Sequence, residues 1–216
     1  MSTNSVNPTP RQRRHETTRQ RILDEARRIM VAKGLNGLSI RALAQATDYS
    51  PAAVYKYFES KEQILAAIRD EGWGLAGAML ATAASLAQQA PPPQRLVASG
   101  LAFLKFAATY PEHYQLMFNT PDLPSSGPSE MGGDANFKGL VDTVAEGVSG
   151  GYFQLPEGYT PLLMAFHLWI SSHGMAMLKQ NLMRADSSAF DALCEDLIKL
   201  FVQSITLKKD ENTPMM

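Results

Sequence analysis

The sequence predicts an all-α chain, in which a helix-turn-helix head is joined by a long helix to a larger helical body. Three observations carry this expectation. Apolar residues recur at three- and four-residue spacing along most of the chain, as they do on one face of a helix. Ser, Thr and Pro stand where helices would begin, and Gly where one would end. No stretch alternates apolar and polar residues as a half-buried strand does.

Taken in order, Pro8, Pro10 and their polar neighbours mark an unstructured basic arm at residues 1–15. "TTRQRILDEARRIMVAKG" follows as a helix, with Ile22, Ala26, Ile29 and Met30 on one face. Thr17 and Gln20 can form its capping box, and Gly34 is positioned to end it. After the turn "LNGL", Ser39 caps a second helix that buries Ile40, Leu43 and Ala44. A tight turn follows, in which Asp48 tolerates a left-handed backbone. Ser50 and Pro51 open a third helix, and Ser60 with Gln63 opens a long fourth through Ile64, Leu65 and Ile68. The head is thus residues 16–62, and the helical body 63–207, with a loose tail at 208–216.

Within the body, "GWGLAGAMLATAASLAQQA" is a weak membrane candidate and reads as a packed helix. Pro111 divides "PPPQRLVASGLAFLKFAATYPEHYQLMF" into a long and a short helix. "NTPDLPSSGPSEMGGD" and "GGYFQLPEGYTP" are loops, separated by a helix carrying Phe137, Leu140, Val141, Val144 and Val148. "LLMAFHLWISSHGMAMLKQNLM" and "SSAFDALCEDLIKLFVQSI" close the body as two long helices.

Composition narrows the function. The 216 residues are 45% hydrophobic and 19% charged, too apolar for a disordered chain. A net charge of −1 hides an asymmetry: residues 1–70 hold 12 Lys/Arg against 7 Asp/Glu, and residues 71–216 hold 8 against 14. A basic head on an acidic body suits a polyanion at the head, although charge also fluctuates this much without function. The single cysteine, Cys194, excludes a disulfide framework and a Cys-rich zinc site and fits a cytoplasmic location. It also lies on an apolar stripe, as an inert thiol does. No Gly-rich phosphate loop, "GxSxG" or metal-ligand spacing is present, so no enzyme, metal or cofactor is expected. His167 and His173 are six residues apart and turn about 120° from each other on a helix, unlike a metal pair.

The stretch "SPAAVYKYFESKEQIL" carries the chemistry. At about 100° per residue, Val54 and Phe58 fall on one side and define its buried face. Lys56 falls opposite, with Ala52 and Ala53 nearby, and Tyr55 and Tyr57 lie about 80° to either side of the buried face. Small residues let a helix approach a major groove, Lys56 can reach a base edge or a phosphate, and each phenol can bond a phosphate. Lys61, at the next helix start, favours a phosphate as well, and Ser39 and Arg41 can hold the backbone alongside. The alternative is that both tyrosines simply pack on neighbouring helices.

Residues 18–68, "TRQRILDEARRIMVAKGLNGLSIRALAQATDYSPAAVYKYFESKEQILAAI", resemble the DNA-binding domain of the TetR/AcrR family of bacterial transcriptional repressors. The likeness rests on "ILDEA", on "KGLNGLSIRALA" and on a small residue, a Tyr, a spacer and "YF" before a Lys. It departs at Asp48–Tyr49, where that family often has Gly and a small β-branched residue. The resemblance implies phosphate contacts from Tyr55, Tyr57 and Lys61, and base contacts from Pro51, Ala52, Ala53 and Lys56, with Ser50 at the helix start. "RQRR", Arg11 to Arg14, is then either a minor-groove arm or a solvated tail, the tail being favoured.

"FLKFAATYPEHYQLMF" and "HLWISSHGMAML" are similar to a C-terminal domain of some members marked by Trp and His-Gly, here Trp169, His173 and Gly174. This resemblance implies a homodimer on a double-stranded operator, released by a largely apolar small-molecule inducer. It also implies a dimer surface on the last two helices, with Phe166, Ile170, Phe190, Leu193, Leu197 and Phe201 as candidates. Candidate pocket residues are Phe103, Phe106, Tyr110, Tyr114, Met117, Met164, His167 and His173; ordinary core is the favoured reading for most of them, with His167 and His173 the best polar anchors. The fold class expected is therefore all-α, with an N-terminal three-helix helix-turn-helix DNA-binding domain and a C-terminal ligand-binding and dimerisation domain. The rival expectation is a constitutive or partner-controlled DNA-binding protein with no inducer.

Overall fold

The computed structural model describes residues 9–118, 135–182 and 188–207. The Pro/Gly/Ser loop expected at 119–134, the first eight residues and the tail from 208 lie outside the described residues. Nine α-helices and no β-strand occur among the described residues. They belong to two compact units: residues 1–72 with 112–124, and residues 73–111 with 125–216.

In the first unit, α1 (Pro10–Lys33) starts earlier than the sequence suggests. Thr9 is its N-cap, Pro10 takes the first turn, and Thr9 and Gln12 complete a capping box. Gln12 Oε1 accepts from the Thr9 N–H at 2.8 Å, and Thr9 Oγ1 accepts from the Gln12 N–H at 3.3 Å. Residues 10–15, expected in the arm, therefore form the opening turns of the helix. Thr17, expected to cap it, instead donates its hydroxyl to the Arg13 carbonyl at 2.9 Å. Gly34 ends α1 with φ 70°, its N–H bonded to the Met30 carbonyl.

A 3₁₀ turn at Leu35–Gly37 leads to α2 (Ile40–Thr47). Asp48 takes the left-handed conformation, φ 59° and ψ 31°, so it fills the turn that the family often gives to Gly. α3 (Pro51–Val54) is one turn of helix, prolonged by the turn at Tyr55–Tyr57, before α4 (Lys61–Leu86). Ser60 Oγ accepts from the Gln63 N–H at 3.2 Å, while the Gln63 side chain reaches back to the Glu59 N–H at 2.7 Å.

One core joins these elements: Ile22, Leu23, Ala26 and Met30 of α1, Leu43 and Ala44 of α2, Val54, Phe58, and Ile64, Leu65 and Ile68 of α4. Leu116 of α6 (Pro111–Phe118) is buried in it too, which draws that helix into the head.

In the second unit, α5 (Pro92–Thr109), α7 (Ala135–Ser149), α8 (Pro161–Leu182) and α9 (Ser188–Ile205) surround Leu96, Val144, Phe153, Met164, Leu168, Val202 and Ile205. A short bridge pairs Phe153 with Thr206, where Gln154 N–H reaches the Ile205 carbonyl and Leu207 N–H the Tyr152 carbonyl, each at 2.9 Å. Phe153 enters the core by lying over Gly147, where an added Cβ would stand 2.1 Å from its ring. Gly147→Ala is therefore expected to destabilise the protein by about 1–3 kcal/mol, read as a lower urea midpoint at unchanged slope.

Candidate functional site

The head presents its surface through capping and burial. Ser39 Oγ accepts from the Ala42 N–H at 3.1 Å, and Ser50 Oγ from the Ala53 N–H at 3.2 Å, so serines start both α2 and α3. Val54 is 0% and Phe58 1% exposed, which fixes the rotation of the short helix about its axis. Pro51, Ala52 and Lys56 consequently face solvent, as do Ser39, Arg41 and Ser50, and Ala53 is half-buried. Tyr55 is 53% exposed, whereas Tyr57 is half-buried with its ring 4.8 Å from that of His15. The two phenols thus differ: one stands free of the core, and one is braced by the start of α1.

Lys61 is half-buried, and its ammonium donates to the Leu35 carbonyl at 3.3 Å. Sequence reasoning missed this bond, as well as His15 and two stacked cations, Arg19 over Phe58 and Arg21 over Tyr49. The early start of α1 was the signal available for His15: Thr9, Pro10 and Gln12 already spell a capping box. Behind this surface, Arg27 of α1 pairs with Glu71 of α4, and Glu71 Oε2 lies 3.5 Å from His113 Nε2 of α6. Burial lowers the His113 pKa, and the Glu71 carboxylate opposes that shift.

In the second unit, α8 is apolar on two faces. Met164, Ala165, Leu168, Ser172, His173 and Ala176 point into the unit, while Leu163, Ile170, Met177 and Leu178 are between 41% and 59% exposed. α9 repeats the pattern, burying Cys194, Ile198, Val202 and Ile205 and exposing Leu193, Leu197 and Leu200. Of the residues expected at a dimer surface, Ile170, Leu193 and Leu197 are exposed, whereas Phe166, Phe190 and Phe201 are half-buried. The Phe166 ring packs 4.7 Å from that of Phe137. The Cys194 thiol has its pKa raised, chiefly by burial.

The candidate pocket residues do not converge. Tyr114 and Met117 belong to the first unit, where Tyr114 is fully buried beside Phe118 and its phenol pKa is raised by burial. Phe106 is buried beside Tyr110, Met164 lies in the core, and His167 is exposed between the rings of Tyr159 and Phe201. Phe103 and His173 do meet, at 4.6 Å, and the Trp169 ring lies 4.0 Å from that of His173. None of the eight lines the cavity of about 580 Å³ that opens instead between α4, α5 and α7, beside Arg95.

A helix-turn-helix head with an exposed, small-residue third helix, on a helical body, defines a class of DNA-binding regulators. The pattern described as "Bacterial regulatory proteins, tetR family" matches residues 22–68, and "Tetracyclin repressor-like, C-terminal domain" matches residues 96–201. The chain belongs to the TetR family and is a DNA-binding regulator of that family. Solved structures of similar fold include a protein of unknown function from Rhodococcus sp. RHA1, 22% identical at a TM-score of 0.72, covering 95% of this chain and all (100%) of that one. Another is the ketosteroid transcriptional regulator KstR2 of Mycobacterium tuberculosis, 14% identical at a TM-score of 0.60, with 96% and 100% covered. The superantigen PfiT is 17% identical at a TM-score of 0.67, with 90% and 98% covered. Such identities establish the fold alone, and the range of names illustrates why function is argued from the site. No curated protein matches the chain in sequence.

His173 sets an acid limit. Burial between Phe103 and Trp169 lowers its pKa to about 4, against 6.5 for the free side chain. Between these values the unfolded chain binds the extra proton and the folded one does not, so stability is full above about pH 6.5 and falls as pH drops toward 4. The loss from this residue is about 3 kcal/mol, with His113 acting in the same direction. His173→Phe is expected to flatten part of that fall, measured as urea midpoints at pH 7 and pH 4.5.

Proposed function

We propose that the protein is a homodimeric repressor that binds a palindromic operator through its two heads and is released by a small molecule held in the second unit. The observation that carries this reading is the outward face of α3 and its turn. Pro51, Ala52 and Lys56 are exposed there, with Tyr55 alongside, over the buried anchor of Val54 and Phe58. Small side chains allow close approach to a major-groove floor, and the ammonium and phenol supply donors to base edges and phosphates.

In this reading Tyr55, Tyr57 and Lys61 bond phosphates, and Pro51, Ala52, Ala53 and Lys56 face bases. Ser39, Arg41 and Ser50 hold the flanking backbone. Both serine hydroxyls accept a cap bond and keep a proton to donate, so capping and phosphate binding are compatible. A single turn of helix reads few base pairs, so specificity calls for two copies on two half-sites. The second apolar faces of α8 and α9 supply the surface for pairing, since such a face is stable only when covered.

Selection of duplexes from a random pool by the purified protein tests the reading, and an enriched palindrome is the expected result. No enrichment from folded protein overturns it. On the enriched duplex, Tyr55→Phe is expected to weaken binding about 3- to 10-fold whatever the sequence. Lys61→Ala is expected to lower the salt slope by about one, whereas Lys56→Ala changes the preferred sequence. Leu197→Asp is expected to shift the protein to a monomer in sedimentation and to abolish the preference for palindromes.

A further inference from the structure

The cavity of the second unit has a chemistry of its own. It lies between the last two turns of α4 and facing stretches of α5 and α7, and its volume of about 580 Å³ suits a small ligand. Local sequence explains why it is open. Ala81, Ala84 and Ser85 share one face of α4 and meet Ser99 of α5 and Gly139 of α7, so three helices turn small side chains toward one space. Leu80 and Leu140 supply an apolar wall.

The polar groups around it fall into two sets. Several helical hydroxyls bond back to the preceding turn: Thr82 to the Ala78 carbonyl at 2.7 Å, Thr109 to Lys105 at 2.7 Å, Ser172 to Leu168 at 2.9 Å and, at the cavity itself, Thr143 to Gly139 at 2.8 Å. Among the described residues, the hydroxyls of exposed Ser85 and half-buried Ser99 make no such bond; both line the cavity, as does the exposed amide of Gln88. Beside them Arg95 donates to Glu146 Oε2 at 2.6 Å and to Thr143 Oγ1 at 3.4 Å. The guanidinium is the better-held partner: the Arg95 side chain is 27% exposed and that of Glu146 56%. An exposed carboxylate in such a pair leaves for water at little cost.

We propose that this cavity binds a small carboxylic acid with an apolar chain, its carboxylate replacing Glu146 on Arg95 while the chain lies against Leu80 and Leu140. Guanidinium and carboxylate match as a two-point pair, and the Ser85 and Ser99 hydroxyls supply further donors. Arg95 is the one cation among the lining residues, which suits a monoanion rather than a phosphate. The inference deepens the effector reading above and rests on it for any consequence at DNA, though not for binding itself.

The test is calorimetric titration of the full chain with straight-chain acids from butanoate to decanoate, each against its matched primary alcohol. At least one acid is expected to bind about tenfold more tightly than its alcohol. Arg95→Gln should erase that advantage and leave alcohol binding unchanged. Glu146→Gln, a change at an exposed side chain, should tighten acid binding several-fold, and Ser99→Leu, which fills the space, should abolish it. No preference for acid over alcohol, or acid binding indifferent to Glu146→Gln and Ser99→Leu, overturns the site. Acid binding that depends on Arg95 without changing duplex affinity supports the site and removes the inducer reading. A protein blind to every acid, whose duplex is released by another small molecule, overturns the site and keeps that reading.

Discussion

The surface proposed to read DNA depends on the burial of two side chains, Val54 and Phe58. Their helix is a single turn, Pro51–Val54, far too short to hold its shape in water. It persists because both ends are fixed. Ser50 accepts the Ala53 N–H, and Val54 and Phe58 sink into a core shared with α1, α2 and α4. The same burial sets its rotation, so Lys56 must point away from the protein. Everything outward on α3 follows from what is anchored inward.

The head is also tied across its elements by one ion pair and by a carboxylate that faces a neutral imidazole. Arg27, Glu71 and His113 come from α1, α4 and α6, and their bonds complement the contact of Leu116 with the apolar core. Ion pairs of partly buried groups are costly to break singly, because the remaining charge loses its partner. The Arg27–Glu71 pair therefore ties α1 to α4. Lys61 works in the same manner, joining the start of α4 to the turn after α1 through the Leu35 carbonyl.

The second unit follows a different rule: its helices are more apolar than their own core requires. α8 and α9 each bury one stripe and leave another of comparable size uncovered. By contrast, the distal part of α4 lines the cavity with small, exposed residues, Ala81, Ala84 and Ser85, and Leu86 at its end is 85% exposed. One region is left apolar on the outside, and another is left open between three helices. Both are departures from simple packing, and such departures are where function is expected to lie.

Much of this was legible in the residues themselves. Periods of three and four, together with Ser39, Gly34, Ser50 and Pro51, specify helices and their ends through local bonds between neighbours, which need no knowledge of the fold. The rotation of α3 was readable for the same reason, since Val54 and Phe58 share a face by helical geometry alone. The start of α1 was readable too, in Thr9, Pro10 and Gln12, although proline nearby suggested disorder. Other features had no local signature. The division of Phe103, Tyr114, Met117 and His173 between two units, the brace of His15 on Tyr57, and the cavity beside Arg95 each join residues tens of positions apart. Sequence by itself determined the helices, their caps and the outward face of α3 and its turn, because these depend on interactions within a few residues. Tertiary structure alone decided which side chains meet and where space remains, because packing between helices depends on distant residues that share no pattern along the chain.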